Sequence, residues 1–151
     1  WDMAFRVETA FRPERVIYTR QLESLNPMSV TSAAGLEYSY DTVLMIGVET
    51  QHQHLFDLPR GTKLLFQEQD EVQLGAVLIT RWLEYDALEI QLAGRTSLSL
   101  GDWILTGQIA YDFADTFLLA AGVRTFHGPD ESIGGVYSHN DEVFLTGRLA
   151  F

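Results

Sequence analysis

The stretch Trp1-Asp2-Met3-Ala4-Phe5-Arg6-Val7-Glu8-Thr9-Ala10-Phe11 alternates with a period of two. Trp1, Met3, Phe5, Val7, Thr9 and Phe11 fall on one side, and Asp2, Ala4, Arg6, Glu8 and Ala10 on the other. Successive side chains of an extended chain point to opposite faces, so the pattern specifies a strand with one apolar and one ionic face. The same alternation returns at Leu36/Tyr38/Tyr40, Leu44/Ile46/Val48/Thr50 and Leu88/Ile90/Leu92/Gly94/Thr96/Leu98. It returns again at Trp103/Leu105/Gly107/Ile109/Tyr111, Phe117/Leu119/Ala121/Val123/Thr125 and Val143/Leu145/Gly147/Leu149/Phe151. Helical spacing fits none of these runs. With a further segment at 72–84 they predict eight strands of about ten residues, a length that crosses a bilayer at a tilt.

Between the strands the chain is punctuated unevenly. Residues 13–31, 55–71 and 127–141 do not alternate and hold all 4 prolines, so they are expected to be loops. Asp41–Thr42, Asp86–Ala87 and Asp112–Asp115 are expected as short turns, and Ser99–Asp102 as a modest one. The connections run long, short, long, short, modest, short, long. Loops and turns alternate in this way in an outer-membrane barrel, which leaves both chain ends at the short-turn, periplasmic side.

The composition sets outer bounds. The 151 residues are enough for one domain, and 0 cysteines exclude a disulfide framework and thiolate metal sites. A net charge of −11 disfavours nucleic acid as a partner. No apolar run of about 18 residues is present, so no transmembrane helix is expected. Trp1 and Asp2 begin straight into an alternating segment and not a signal peptide, so an exported protein is expected here in a mature or trimmed form.

The apolar side of the seven clear runs carries no Asp, Glu, Lys or Arg, whereas the opposite side holds Arg6, Glu8, Glu37, Glu49, Glu89, Arg95, Arg124 and Arg148. A soluble lipocalin-like barrel would turn the apolar side inward around a ligand, and a membrane barrel would turn it outward to lipid. Small residues on the ionic side (Ala4, Ala10, Gly47, Ala93, Ala110, Ala120, Gly122 and Ala150) suit a narrow bore. They favour the second arrangement: an all-β, transmembrane, antiparallel up-and-down barrel of about eight strands. Together with Arg81 the ionic side becomes a lumen network of near-balanced charge, and the excess acid is expected in loops, at Glu68, Asp70, Glu71, Asp130, Glu131, Asp141 and Glu142. Those carboxylates would suit divalent cations that bridge lipopolysaccharide phosphates. Glu8 and Arg148 would pair across the seam if the first and last strands meet.

Tyr40-Asp41, Tyr85-Asp86 and Tyr111-Asp112 each end a strand before a short turn. A ring at headgroup level followed by an acid in water marks a membrane boundary, and Trp1 and Phe151 complete this periplasmic girdle. The segment 72–84 fits poorly: with Leu74, Ala76, Leu78, Thr80 and Trp82 outward, Val77, Ile79, Leu83 and Tyr85 turn inward. A β-bulge near Trp82 is the expected remedy.

The last nine residues, Val143-Phe-Leu-Thr-Gly-Arg-Leu-Ala-Phe151, resemble the C-terminal strand of Gram-negative outer-membrane proteins. That resemblance implies recognition by the barrel-assembly machinery through Leu149 and Phe151. Gly122-Val-Arg-Thr-Phe-His-Gly-Pro-Asp-Glu-Ser-Ile-Gly135, followed by Asn140-Asp141, resembles the last hairpin of larger porin-like barrels. The first expectation is a small closed eight-stranded barrel with a structural or surface-interaction role, and this second resemblance implies the alternative, the final strands of a channel for small solutes. The partners implied are outer-membrane lipid, lipopolysaccharide and other envelope proteins.

Chemistry is sparse. Arg124-Thr-Phe-His127 resembles the lead-in to the catalytic histidine of lipid A deacylases, with Ser132 and Glu142 as substitute partners, but Pro129 stands where that family has its serine. The expected protein is therefore not an enzyme. His52 and His54 share one strand face and offer two metal ligands without an evident third. No cofactor is expected.

Overall fold

In the computed structural model, which describes residues 1–83, 87–113 and 116–149, the chain is all-β and runs as an antiparallel meander. Its elements are β1 (Asp2–Arg12), the two-residue β2 (Ile17–Tyr18) and β3 (Ser24–Leu25), β4 (Ser29–Tyr40), β5 (Leu44–Leu55), β6 (Asp70–Trp82), β7 (Leu88–Ser97), β8 (Asp102–Phe113), β9 (Phe117–His127), the short helix α1 (Ile133–Val136) and β10 (Glu142–Leu149). Eight of the strands form one sheet in the order β1-β4-β5-β6-β7-β8-β9-β10, and β2 pairs with β3 apart from it. Up-and-down order puts residues 13–28, 56–69, 98–101 and 128–141 at one end of the sheet. Residues 41–43, 83, 87 and 116 lie at the other, with Trp1.

Register aligns the two sequence phases across every ladder. One row of facing positions runs Phe5, Leu36, Val48, Ala76, Gly94, Leu105 and Thr125, on the apolar face throughout. The row beside it runs Arg6, Gly35, Glu49, Gly75 and Arg95, on the ionic face. A slip of one residue at any ladder would exchange the faces, so the binary pattern pins the register.

Four details differ from the sequence expectation. β4 begins at Ser29, inside the segment expected as loop; Ser29-Val-Thr-Ser-Ala-Ala-Gly35 is too small-residued to alternate visibly, and it becomes a strand because Phe11 and His54 offer ladders on both sides. The first connection also contains β2 and β3, and the last contains α1, so neither is structureless. β6 needs no bulge: its pairing with β7 is continuous to Trp82 opposite Leu88. The strand ends at Trp82, before Leu83, whose φ of 73° turns the chain into the left-handed region, and Val77 and Ile79 stay on the ionic face, opposite Gly47 and Met45. Tyr85 and Asp86 lie outside the described residues, as do Ala150 and Phe151.

The fourth difference concerns closure. β1 and β10 are the two edges of the sheet, and among the described residues neither pairs with the other. Arg148 makes no ion pair among the described residues, and Glu8 instead lies 3.5 Å from Arg6, so the Glu8–Arg148 seam is not formed.

Burial is lopsided. Ile17, Leu55 and Leu64 form the one buried apolar cluster among the described residues, with Leu25 and Leu58 packed against it. Leu55 shares its strand phase with Glu49, Gln51 and Gln53, so this cluster sits over the ionic face at the loop end. The two long connections are stitched there: Thr19 bridges Leu64, Leu65 N–H donates to the Tyr18 carbonyl, and Arg20 N–H to that of Lys63. The apolar face, by contrast, has no element packed upon it among the described residues. Phe5 is 72% exposed and Leu145 73%.

Candidate functional site: the ionic face and the loop rim

The ionic face carries its charges as facing pairs. Arg81 and Glu89 stand opposite one another on β6 and β7, with Nε 2.9 Å from the carboxylate. Arg124 and Glu142 do the same on β9 and β10 at 3.2 Å. Glu142 was expected in a loop; it is the first residue of β10, and Arg124 holds it on the sheet. Arg6 reaches past its own neighbour to Glu49 at 2.8 Å, two strands away, because Gly35 between them has no side chain. Of the nine expected network residues, six are thus engaged; Glu37, Arg95 and Arg148 make no ion pair among the described residues. Glycines keep this surface open: a trough of about 450 Å³ runs over Gly35, Gly47 and Gly75, between Arg6, Glu37 and Glu49.

The apolar face is framed at both ends by rings. Of the expected girdle residues, Trp1, Tyr40 and Tyr111 are solvent-exposed at the short-turn end, while Tyr85 and Phe151 fall outside the described residues. Three further rings that the sequence reading did not single out lie at this end: Trp82, and Phe113 and Phe117, which stack with centroids 5.6 Å apart while Phe113 also meets Tyr111 edge-on at 4.5 Å. At the loop end Trp103 packs on His127 at 5.4 Å, and Phe11 shares their face. Between the belts the surface is aliphatic, with a hollow of about 560 Å³ where Gly94 and Gly107 lower it among Leu92, Leu105 and Val123.

His52 and His54 also face the apolar side, at its loop-end rim. They converge on Asp70: His54 Nδ1 lies 2.5 Å and His52 Nε2 3.6 Å from its Oδ1. Asp70 lies beyond the apolar band, which on β6 begins at Val72. The His54 hydrogen bond, helped by His52, holds the Asp70 carboxyl below its ordinary value. That carboxylate bonds directly to an imidazole, and among the described residues no group of three such side chains is arranged to hold a metal ion. Asp70 and Glu71 are strand residues, not loop acids, and Glu131 of the last loop is engaged by Arg20 through Nη2 at 2.6 Å.

His127, Ser132 and Glu142 do not meet. His127 is on the apolar face, Glu142 on the ionic face, and Ser132 is fully buried as the cap of α1. Its hydroxyl donates to the Pro129 carbonyl and accepts from Gly135 N–H, so both of its roles are structural. Asp102 completes this knot, accepting from Ser97 N–H at 3.2 Å and Gly134 N–H at 2.9 Å. The sequence marked Asp102 only as a turn end; the glycines at 128, 134 and 135 were the available sign of close backbone packing. A Cβ on Gly128 would come within 2.5 Å of both Asp102 Cβ and Ser132 Oγ.

Comparison with protein-family models, with curated proteins and with solved structures finds no match to this chain.

Proposed function

We propose that this chain forms strands of a transmembrane β-barrel in the bacterial outer membrane, with the ionic face bordering a bore for small polar solutes. The observation that carries the reading is an uncharged apolar face left bare and bounded by aromatic belts at both ends. From Trp1 to Phe11 the face extends about 33 Å along the strand at about 3.3 Å per residue. A tilt of about 40° reduces that to about 25 Å, the height of the apolar band of an outer-membrane barrel. A soluble ligand-binding barrel would pack its apolar face instead; here the connections fold over the ionic one.

Lipid cannot satisfy an open sheet edge, so β1 and β10 must be paired in a membrane. Further strands are the favoured partners, making this chain part of the wall of a wider, porin-like barrel. An eight-stranded bore is filled by side chains, whereas the trough over Gly35, Gly47 and Gly75 is unfilled. A closed eight-stranded barrel is the second reading, favoured by the Arg20–Glu131 bridge between the first and last connections. On either reading the protein is non-catalytic, its rim meets lipopolysaccharide, and the C-terminal strand with Phe151 is what the assembly machinery recognises.

Because the chain has 0 cysteines, single substitutions report topology cleanly. Arg60→Cys should react with an impermeant maleimide on intact cells, and Thr42→Cys only after the outer membrane is opened. Recovery of the protein in the aqueous fraction, or reaction of Thr42→Cys from outside, overturns the proposal. In planar bilayers the wider barrel should conduct steadily; a silent but fully inserted protein favours the closed one.

A further inference from the structure

Three connections at the loop end fold over β5, β6 and β7 and leave a cavity of about 450 Å³ beneath them, within the size range of small-molecule sites. Gln51, Gln53, Glu71, Gln73 and Arg95 form its floor, with Gln51 facing Gln73 and Gln53 facing Glu71 across one ladder. Residues 15–18, 65–67 and Ile133 form its roof. The roof is held in an uncommon conformation: Phe66 has a φ of 61°. Backbone strain of this kind is kept at ligand clamps when the surroundings enforce it.

The polar groups of the cavity are incompletely used. Gln53 is 5% exposed; its Oε1 accepts from Arg15 Nη1, while its Nε2, buried, has no partner. A buried amide donor without an acceptor is disfavoured unless something else supplies one. Arg95 makes no ion pair or hydrogen bond among the described residues. Glu71 is 6% exposed and accepts from Gln73 Nε2 at 2.5 Å, with no cation paired to it among the described residues. The cavity therefore offers the Glu71 carboxylate beside the free Gln53 amide, with the Arg15 guanidinium on Gln53 and that of Arg95 on β7.

We propose that this cavity binds a small hydroxylated carboxylic acid. The ligand carboxylate lies against Arg95 and the guanidinium of Arg15, where planar bidentate donors match it. A hydroxyl oxygen accepts from Gln53 Nε2, and hydroxyl protons go to Glu71 and to the amide oxygens of the floor. An uncharged sugar would leave the arginines unanswered, and a simple aliphatic acid would leave Gln53 and Glu71 so. The proposal stands on the cavity and is independent of whether the chain spans a bilayer.

Isothermal titration calorimetry of the detergent-solubilised full chain with D-gluconate tests it, with D-glucose, propionate and L-alanine as comparison ligands. Gluconate should bind, and the other three should bind at least roughly tenfold more weakly. Arg95→Gln, at an exposed position where folding is insensitive, should weaken gluconate roughly tenfold or more. Gln53→Leu should abolish binding while circular dichroism and gel mobility match the parent protein. Gluconate without heat, glucose or alanine binding as tightly, or an Arg95→Gln protein of unchanged affinity each overturns the proposal.

Discussion

Gly122→Ala is the sharpest test of the packing on the ionic face. A Cβ built on Gly122 would stand 2.4 Å from Phe144 Cζ and 2.6 Å from the carbonyl oxygen of Gly107. Phe144 is the far end of a side chain and can swing away, at the expense of its contact with Arg124, whose Cζ lies 5.9 Å from the ring centroid. The Gly107 oxygen belongs to the neighbouring strand and cannot move without disturbing the β8–β9 ladder. Overpacking of this kind costs about 1–3 kcal/mol. Gly75→Ala is the matched control, because its added Cβ would meet only the Gly94 carbonyl oxygen, at an ordinary 3.9 Å. There the loss of glycine freedom in the unfolded chain should stabilise by about 0.4–1 kcal/mol. Urea unfolding in micelles, followed by circular dichroism, should therefore separate the two variants by about 1.5–4 kcal/mol in opposite directions from the parent. If the Gly122→Ala midpoint equals that of the parent, Gly122 does not stand over Gly107 and the β8–β9 register described above is wrong.

Three further outcomes are expected. In a double-mutant cycle of Arg81→Met and Glu89→Gln, the half-exposed pair should show a coupling of about 1 kcal/mol; zero coupling would mean that the facing geometry contributes nothing. Asp102→Ala strands the Gly134 and Ser97 amides, so residues 128–141 should lose hydrogen-exchange protection by about 1–3 kcal/mol while the β5–β6 ladder keeps its own; uniform loss across the sheet would contradict the local role. Asp70 should titrate below the ordinary 3.8. With a depressed folded value, its contribution to stability is fully present above 3.8 and disappears as pH falls through the lower value, and His54→Ala should return it toward 3.8, read by carboxyl-carbon NMR. An Asp70 that titrates identically in that variant would remove His54 as the cause.

The parts of this fold that were legible in the sequence are those written in a period of two. Leu88 to Leu98 and Trp103 to Tyr111 announce their strands because each face repeats one kind of residue. Ser29 to Gly35 does not, because its small side chains suit both faces, and only the flanking ladders make it a strand. Facing ion pairs depend on register: Arg124 was visible as a cation of the ionic face, but Glu142 hid beside Asp141 at the edge of a polar segment. The cluster of Ile17, Leu55 and Leu64 and the cap at Asp102 depend on connections folding back over the sheet, and no local spacing encodes such contacts. Leu83 shows the limit from the other side, since a left-handed residue ends a pattern without any Gly or Pro to signal it.

The meander has a consequence for the order in which the molecule assembles. Every large ladder joins a strand to the next large strand along the chain, so each hairpin closes a short loop at small entropic expense and can zip onto the last. The contact between Arg20 and Glu131 spans 111 residues and can form only when nearly the whole sheet is in place. Wall first, roof last is thus the kinetic sequence that the connectivity dictates. Residues 15–18 and 65–67 can cover the cavity floor once their flanking strands are paired, and Ile133 completes the roof last.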